Sequence, residues 1–219
     1  MTPMSPRVSD PYCAAIVALV WGVVAYHLAR REMKSALGND STMHYLVGLA
    51  LASAALGAIL LPAPLGLAVP ITIAGLGVAA WSDWCVSYLF DEITVTTAIL
   101  AGTAMLVGGA GLRSMEGGMT CAGLTSFVYF AALLAGKETG YGDVKAAAAI
   151  GFAMGPAGGL LAYFAAAIIF VVAALLHAFR TREATLGVPA PFGPALVLGM
   201  IVSAPFTPAL DTLLQSLIS

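Results

Sequence analysis

Long apolar runs are the feature that most constrains how this chain can fold. Residues 144–179 form a stretch of 36 residues in which Lys145 is the only charged side chain, with histidine counted as neutral. Several other runs approach the roughly 20 residues that a helix needs to cross about 30 Å of hydrocarbon. Because 60% of the 219 residues are hydrophobic and 9% are charged, the chain has more apolar surface than a water-soluble core of this size can bury. The sequence therefore predicts an integral membrane protein.

The apolar runs lack the two-residue alternation of barrel strands, and a membrane span must satisfy its own backbone hydrogen bonds. We therefore expect an all-α, polytopic transmembrane bundle of about six to eight spans. The predicted spans are Tyr12–Leu28, His44–Leu61, Leu65–Ser82, Thr94–Leu112, Met119–Leu134, Val144–Met154 and Leu160–His177, with a last one that begins near Pro191. The long stretch is divided at Gly155-Pro156 because proline cannot continue the hydrogen-bond ladder of a helix.

The domain organisation expected from this pattern is one membrane-embedded domain over residues 1–219. Residues 12–82 would hold three spans and a short cytosolic loop, and residues 83–194 would hold the polar motifs. Residues 195–219 would hold the last span and an interfacial helix, since Leu210, Leu213, Leu214, Leu217 and Ile218 recur at helical spacing.

Basic residues predict the orientation of the chain in the membrane. With the amino terminus outside, the outer segments hold Arg7 and Arg113, and the cytosolic segments hold Arg30, Arg31, Lys34, Lys137, Lys145, Arg180 and Arg182. This distribution obeys the positive-inside rule. The same orientation places five acidic residues at the cytosolic rim, namely Asp83, Asp91, Glu92, Glu138 and Asp143.

Asp83 and Asp143 are the acids closest to the predicted spans, where an ionisable side chain costs about 2.5–3.5 kcal/mol unless it is paired or functional. Asp83 lies at the end of the third span. It could instead be a solvated loop acid beside an interfacial belt formed by Trp81 and Trp84.

Asp143 follows Gly140 and Gly142 and caps the next predicted helix, whose free amide groups favour an anion. The alternative is an ordinary capped helix in which Lys145 extends to the interface.

Two carboxylates a few ångströms apart do not both ionise easily, so such a pair shares one proton. The ionised member can take a proton from an attacking water, and the protonated member can stabilise the carbonyl oxygen and protonate the leaving amine. This is the chemistry of aspartic proteolysis, and it requires no cofactor.

Other kinds of site fit the sequence poorly. It contains no His-Glu-x-x-His and no Gly-x-Ser-x-Gly motif. The histidines and cysteines lack the spacing of metal ligands, so no metal site is expected; they are His27, His44, His177, Cys13, Cys85 and Cys121.

Three segments resemble a known family, in the order that the family has them. Asp83 and the later Leu89-Phe90-Asp91-Glu92-Ile93-Thr94 look like an aspartate followed by Leu/Ile-Pro-Asp/Asn-x-Leu/Ile-Thr. Lys137-Glu138-Thr139-Gly140-Tyr141-Gly142-Asp143-Val144-Lys145 is similar to a Gly-x-Gly-Asp-x-Lys element preceded by Lys-Glu. Pro191-Phe192-Gly193-Pro194 resembles the opening of the last membrane segment. The family is that of the type IV prepilin peptidases, which are membrane aspartic proteases of the Gly-x-Gly-Asp type.

The resemblance implies that Asp83 and Asp143 are the catalytic pair. Cleavage would follow a glycine at the end of a short, basic, cytosolic leader of a type IV prepilin or pseudopilin, in the bacterial inner membrane. Five residues are expected to bind this substrate, namely the small Gly140 and Gly142 and the acidic Asp91, Glu92 and Glu138. Membrane lipid is the other expected partner, and no nucleic acid is expected.

The sequence departs from the family at two places. Phe90 stands where the family has proline, and Trp84-Cys85-Val86 replaces residues that are often polar or basic. The predicted loop at residues 29–43 is too short for the methyltransferase domain of the longer enzymes. We therefore expect peptidase activity without N-methylation. A small transporter or channel that uses the rim carboxylates is the alternative from another functional class.

Overall fold

The computed structural model describes residues 11–33, 51–52, 54, 61, 65–86, 88–135, 140–181 and 191–218, and the regular elements in these ranges are all helical. The helices are α1 (Pro11–Met33), α2 (Leu65–Val86), α3 (Asp91–Val107), α4 (Gly111–Leu134), α5 (Gly142–Thr181), α6 (Gly193–Ser203) and α7 (Thr207–Ile218). A 3-10 turn at Ala204–Phe206 joins the last two.

Five segments among the described residues are long and apolar enough to cross a membrane. They are Tyr12–Arg31, Leu65–Cys85, Gly111–Leu134, Gly142–Arg180 and Gly193–Leu214. The prediction of an all-α polytopic membrane protein is therefore confirmed. The predicted span His44–Leu61 lies largely outside the described residues, although Leu51, Ala52 and Ala54 are helical.

Helices α1 and α2 run parallel, which places their carboxyl ends at the same end of the bundle. Trp21 lies against Gly75, and Tyr26 stacks on Trp81 with ring centroids 5.5 Å apart. Trp81 is buried, so it packs inside the bundle and does not belong to the interfacial belt considered above. Trp84 is exposed.

The boundary between α3 and α4 differs from the prediction. The predicted span Thr94–Leu112 is instead a helix that ends at Val107, and Gly109 adopts φ +80° in the turn that follows. Helix α4 begins at Gly111, well before the predicted Met119. Its first turns include charged residues and glycines that are untypical of a membrane helix, but Gly117 packs directly against the backbone of α5. The absence of a side chain there lets the two helices approach closely.

The long apolar stretch is broken at Gly155, as predicted, and the chain reverses its direction there. Gly155 has φ 75° and ψ −179°, outside the helical region. The helix resumes at Pro156, earlier than the predicted Leu160, because a proline at the first helical position has no amide hydrogen to satisfy. Residues 142–154 and 156–181 would measure about 20 Å and 39 Å as ideal helices, so a short leg is followed by a long one.

The end of the bundle near this reversal is held by an ion pair. Arg113 of α4 pairs with Asp211 of α7 and also donates a hydrogen bond to the carbonyl oxygen of Met154, at 3.2 Å. Among the described basic residues, Arg113 therefore lies at the end opposite to Arg30 and Lys145.

Candidate active site

Asp83 lies in the last turn of α2, where the surrounding helices bury it. Only 8% of the residue is exposed to solvent. Its Oδ2 atom accepts a hydrogen bond from the backbone N–H of Gly193, at 2.9 Å. Gly193 is the first residue of α6, so the first and third predicted motifs meet at this carboxylate.

Asp143 lies in the first turn of α5, which begins one residue earlier, at Gly142. It is therefore the second residue of the helix and not its N-cap, which the sequence had suggested. A methyl group at Gly142 would lie 2.9 Å from the Cβ of Leu89. The space beside Gly142 is thus occupied by the first motif segment, and only a glycine allows this packing. At Gly140 a methyl group would meet no described atom within 4 Å, so none of the described residues fills the space beside it.

The two aspartates line one pocket of about 690 Å³, although they come from different helical hairpins. They lie close enough for their negative charges to repel each other. The pocket walls come from the 88–91 segment, the 140–145 turn, one face of α4, the returning leg of α5 and the segment before α6. The structure therefore brings together the two acids that the sequence singled out.

Asp91, one of the predicted rim acids, is paired with a lysine. Its Oδ1 atom lies 2.7 Å from the Nζ atom of Lys145, and this ammonium also sits 5.5 Å from the centre of the Tyr141 ring. Asp91 lines the pocket. Glu92 is exposed and is not one of the pocket-lining residues, and Glu138 lies outside the described residues.

Tyr163 and Thr125 are polar residues of the pocket that the sequence reasoning missed. The Tyr163 side chain is hydrogen-bonded to Thr125 and interacts electrostatically with Asp143. Thr125 donates its own hydroxyl hydrogen to the carbonyl oxygen of Cys121, at 2.7 Å, so its oxygen is left to accept the Tyr163 hydroxyl. The sequence does contain a signal for this site, because Tyr163 is a polar side chain within the apolar 156–181 leg.

Within the described ranges, no three His, Cys, Asp or Glu side chains are grouped as metal ligands. The polar groups that this pocket offers are two carboxylates, the hydroxyls of Tyr163 and Thr125, and the Asp91–Lys145 pair. Such a set suits proton transfer to and from a bound water.

Comparison with known proteins adds to this geometry. The model that describes the type IV leader peptidase family matches residues 70–175, a range that includes Asp83, Asp143 and Tyr163. No curated protein and no solved structure matches the chain. This match supports a relationship to the type IV leader peptidase family and, together with the five helices long and apolar enough to cross a membrane, a protease of the membrane.

Proposed function

We propose that this protein is an aspartic endopeptidase with Asp83 and Asp143 as its catalytic pair. The observation that carries the proposal is that the two carboxylates line one pocket although they arise from separate hairpins. Two acids placed together at a membrane-embedded site cost stability, and such arrangements cluster at functional sites.

The reaction follows from the properties of a carboxylate pair that holds one proton. A water between the carboxylates attacks the carbonyl carbon of the scissile peptide and gives a proton to the ionised member. The protonated member donates to the carbonyl oxygen as charge develops on it. When the C–N bond breaks, a proton passes from the pair to the leaving nitrogen, and the pair again holds one proton. The chain needs no cofactor for these steps.

The substrates we propose are type IV prepilins and pseudopilins, cleaved after a glycine that ends a short basic leader. The space beside Gly140, which none of the described residues fills, would admit an extended backbone next to Asp143. Asp91, Glu92 and Glu138 would attract the basic leader, mainly by steering its approach. Since Asp91 already pairs with Lys145, a leader cation would share or displace that partner.

We further propose that the active site faces the cytosol from the bacterial inner membrane. The support is the position of Arg30, Arg31, Lys145 and Arg180, which lie toward the end of the bundle that holds the pocket, as the positive-inside rule expects. The short segment at residues 29–43 supports cleavage without N-methylation. No observation favours a transporter, because both acids lie at an end of the bundle.

The test is to replace each aspartate with asparagine and follow cleavage of a prepilin in membranes. Asp83→Asn and Asp143→Asn should each lower kcat by about 10³-fold or more, and the double variant should be little worse, because the pair acts as a unit. Glu116→Gln is the matched control, since it changes an exposed carboxylate near the far end of α4. Cleavage at the wild-type rate by either single variant would contradict the proposal.

A further inference from the structure

We propose that the amino terminus of α6 is a third component of the active site and that Gly193 is a positioning residue for Asp83. The inference rests on the proposed peptidase function, and it assigns a role to the Pro191–Pro194 segment, which lies beyond the residues that the family model matches.

The first observation is the hydrogen bond itself. The Gly193 N–H donates to Oδ2 of Asp83 at 2.9 Å, across 110 residues of sequence and in a buried setting. The first amide groups of a helix have no partner inside the helix and carry partial positive charge. Pro194 has no N–H, and the N–H of Leu196 already bonds to the carbonyl oxygen of Phe192. Gly193 is thus a donor of this helix end that points at the catalytic pair.

The second observation is that the space at this position is tight for any residue larger than glycine. A methyl group at Gly193 would lie 3.0 Å from Oδ2 of Asp83 and 3.2 Å from the Cα atom of Ala80. The Ala80 contact is with backbone, which cannot move aside as a flexible side chain would. A larger residue must therefore push the start of α6 away from α2 or turn the carboxylate.

The third observation is that Phe192 anchors the same segment to the opposite wall of the pocket. Its ring meets the ring of Phe170 edge-on, with centroids 5.3 Å apart, and that of Tyr163 with centroids 6.2 Å apart. Both partners belong to the returning leg of α5. Adjacent residues of one segment therefore contact Asp83 on one side and the Tyr163 wall on the other.

These contacts would fix the rotamer of Asp83. Catalysis by a shared proton requires both carboxylates at a constant separation, and misplacement by about 1 Å can cost 10²-fold in rate. Asp143 is placed by its own helix, which begins against Leu89. Asp83 lies in the last turn of α2, and the Gly193 amide donates a hydrogen bond to one of its oxygens.

The kinetic test is Gly193→Ala, which keeps the N–H but adds the obstructing methyl group. We expect kcat to fall about 10-fold or more, with KM within about two-fold, because the loss affects positioning and not substrate binding. Gly158→Ala is the matched control. Its methyl group would lie 2.6 Å from the Cγ2 atom of Thr207, so it should lower thermal stability while kcat per folded enzyme stays near wild type. A Gly193→Ala enzyme with wild-type kcat would overturn the inference.

A second measurement does not depend on cleavage. In protein labelled with 15N-glycine, the Gly193 amide resonance should shift with pH as Asp83 titrates, and this shift should be absent in Asp83→Asn. A Gly193 resonance that behaves identically in both proteins would also overturn the inference. Failure of the proposed function would show differently, as undiminished cleavage by Asp83→Asn.

Discussion

The two ends of the bundle both place charges inside a membrane protein, but they do so in opposite ways. At one end, Arg113 pairs with Asp211 and also donates to the carbonyl oxygen of Met154, so opposite charges lie together. At the other end, Asp83 and Asp143 line one pocket as like charges.

We interpret the paired charges at the first end as structural and the two acids at the second end as functional. The Arg113–Asp211 ion pair joins α4 to α7, and the hydrogen bond from Arg113 to Met154 joins α4 to α5 beside the reversal at Gly155, so these contacts hold the fold together. Two neighbouring acids repel each other and gain nothing for folding. Under the proposed function their presence at one pocket serves catalysis, so the two ends should respond differently to substitution and to pH.

The largest expected effect is on the pH dependence of cleavage. Below the optimum both carboxylates hold a proton and no base remains, and above it both are ionised and no acid remains. The rate should therefore fall about tenfold per pH unit on each side, and the two apparent ionisations belong to the pair. The measurement is kcat/KM against pH in detergent, with thermal stability recorded at each pH as the control. A profile with no acidic limb would argue against a shared proton.

A smaller effect is expected from breaking the opposite end. Arg113→Gln leaves Asp211 without its counter-charge, and the pair is partly buried, with side chains 33% and 16% exposed. We expect a loss of about 2 kcal/mol in the free energy of unfolding, measured by equilibrium unfolding in mixed micelles. The double variant Arg113→Gln with Asp211→Asn removes both charges and should recover part of this loss. If kcat of Arg113→Gln falls in proportion to its loss of stability, the Arg113–Asp211 pair also serves catalysis, and the two ends do not differ as proposed.

The broad architecture could be predicted because it depends on local properties of the sequence. Hydropathy marks the helices, and glycine followed by proline marks the reversal at Gly155. The start of α4 could not be predicted in this way. The charges and glycines near residue 117 are untypical of a membrane helix until the backbone of α5 is seen to pack against them.

The same division applies to the site. Asp83 and Asp143 could be found because acids beside apolar helices are rare and fall in short motifs. The bond from Gly193 to Asp83 depends on how α6 packs against α2, and the approach of Tyr163 to Asp143 depends on how the two legs of α5 pack after the break at Gly155. No motif in the sequence indicates that these residues contact each other, so only the three-dimensional arrangement reveals the contacts.

The smallest expected effect concerns the rim pair Asp91–Lys145. Like Arg113–Asp211 at the opposite end, it joins an acid to a base, but it lies nearer to solvent. Asp91 is 52% exposed in its side chain and Lys145 is 29% exposed, so the pair should contribute only about 0.2–1 kcal/mol to stability. Lys145→Met frees Asp91 to meet a basic leader. We therefore expect KM for a prepilin to fall by about two- to fivefold at low salt, and the gain should shrink at high salt as screening increases.

Asp91→Asn should raise KM, and in the double variant the effect of Lys145→Met should disappear, because the acid that it frees is gone. If Lys145→Met lowers KM equally with and without Asp91, the lysine acts directly on the substrate, and the rim pair is structural like its counterpart at the far end.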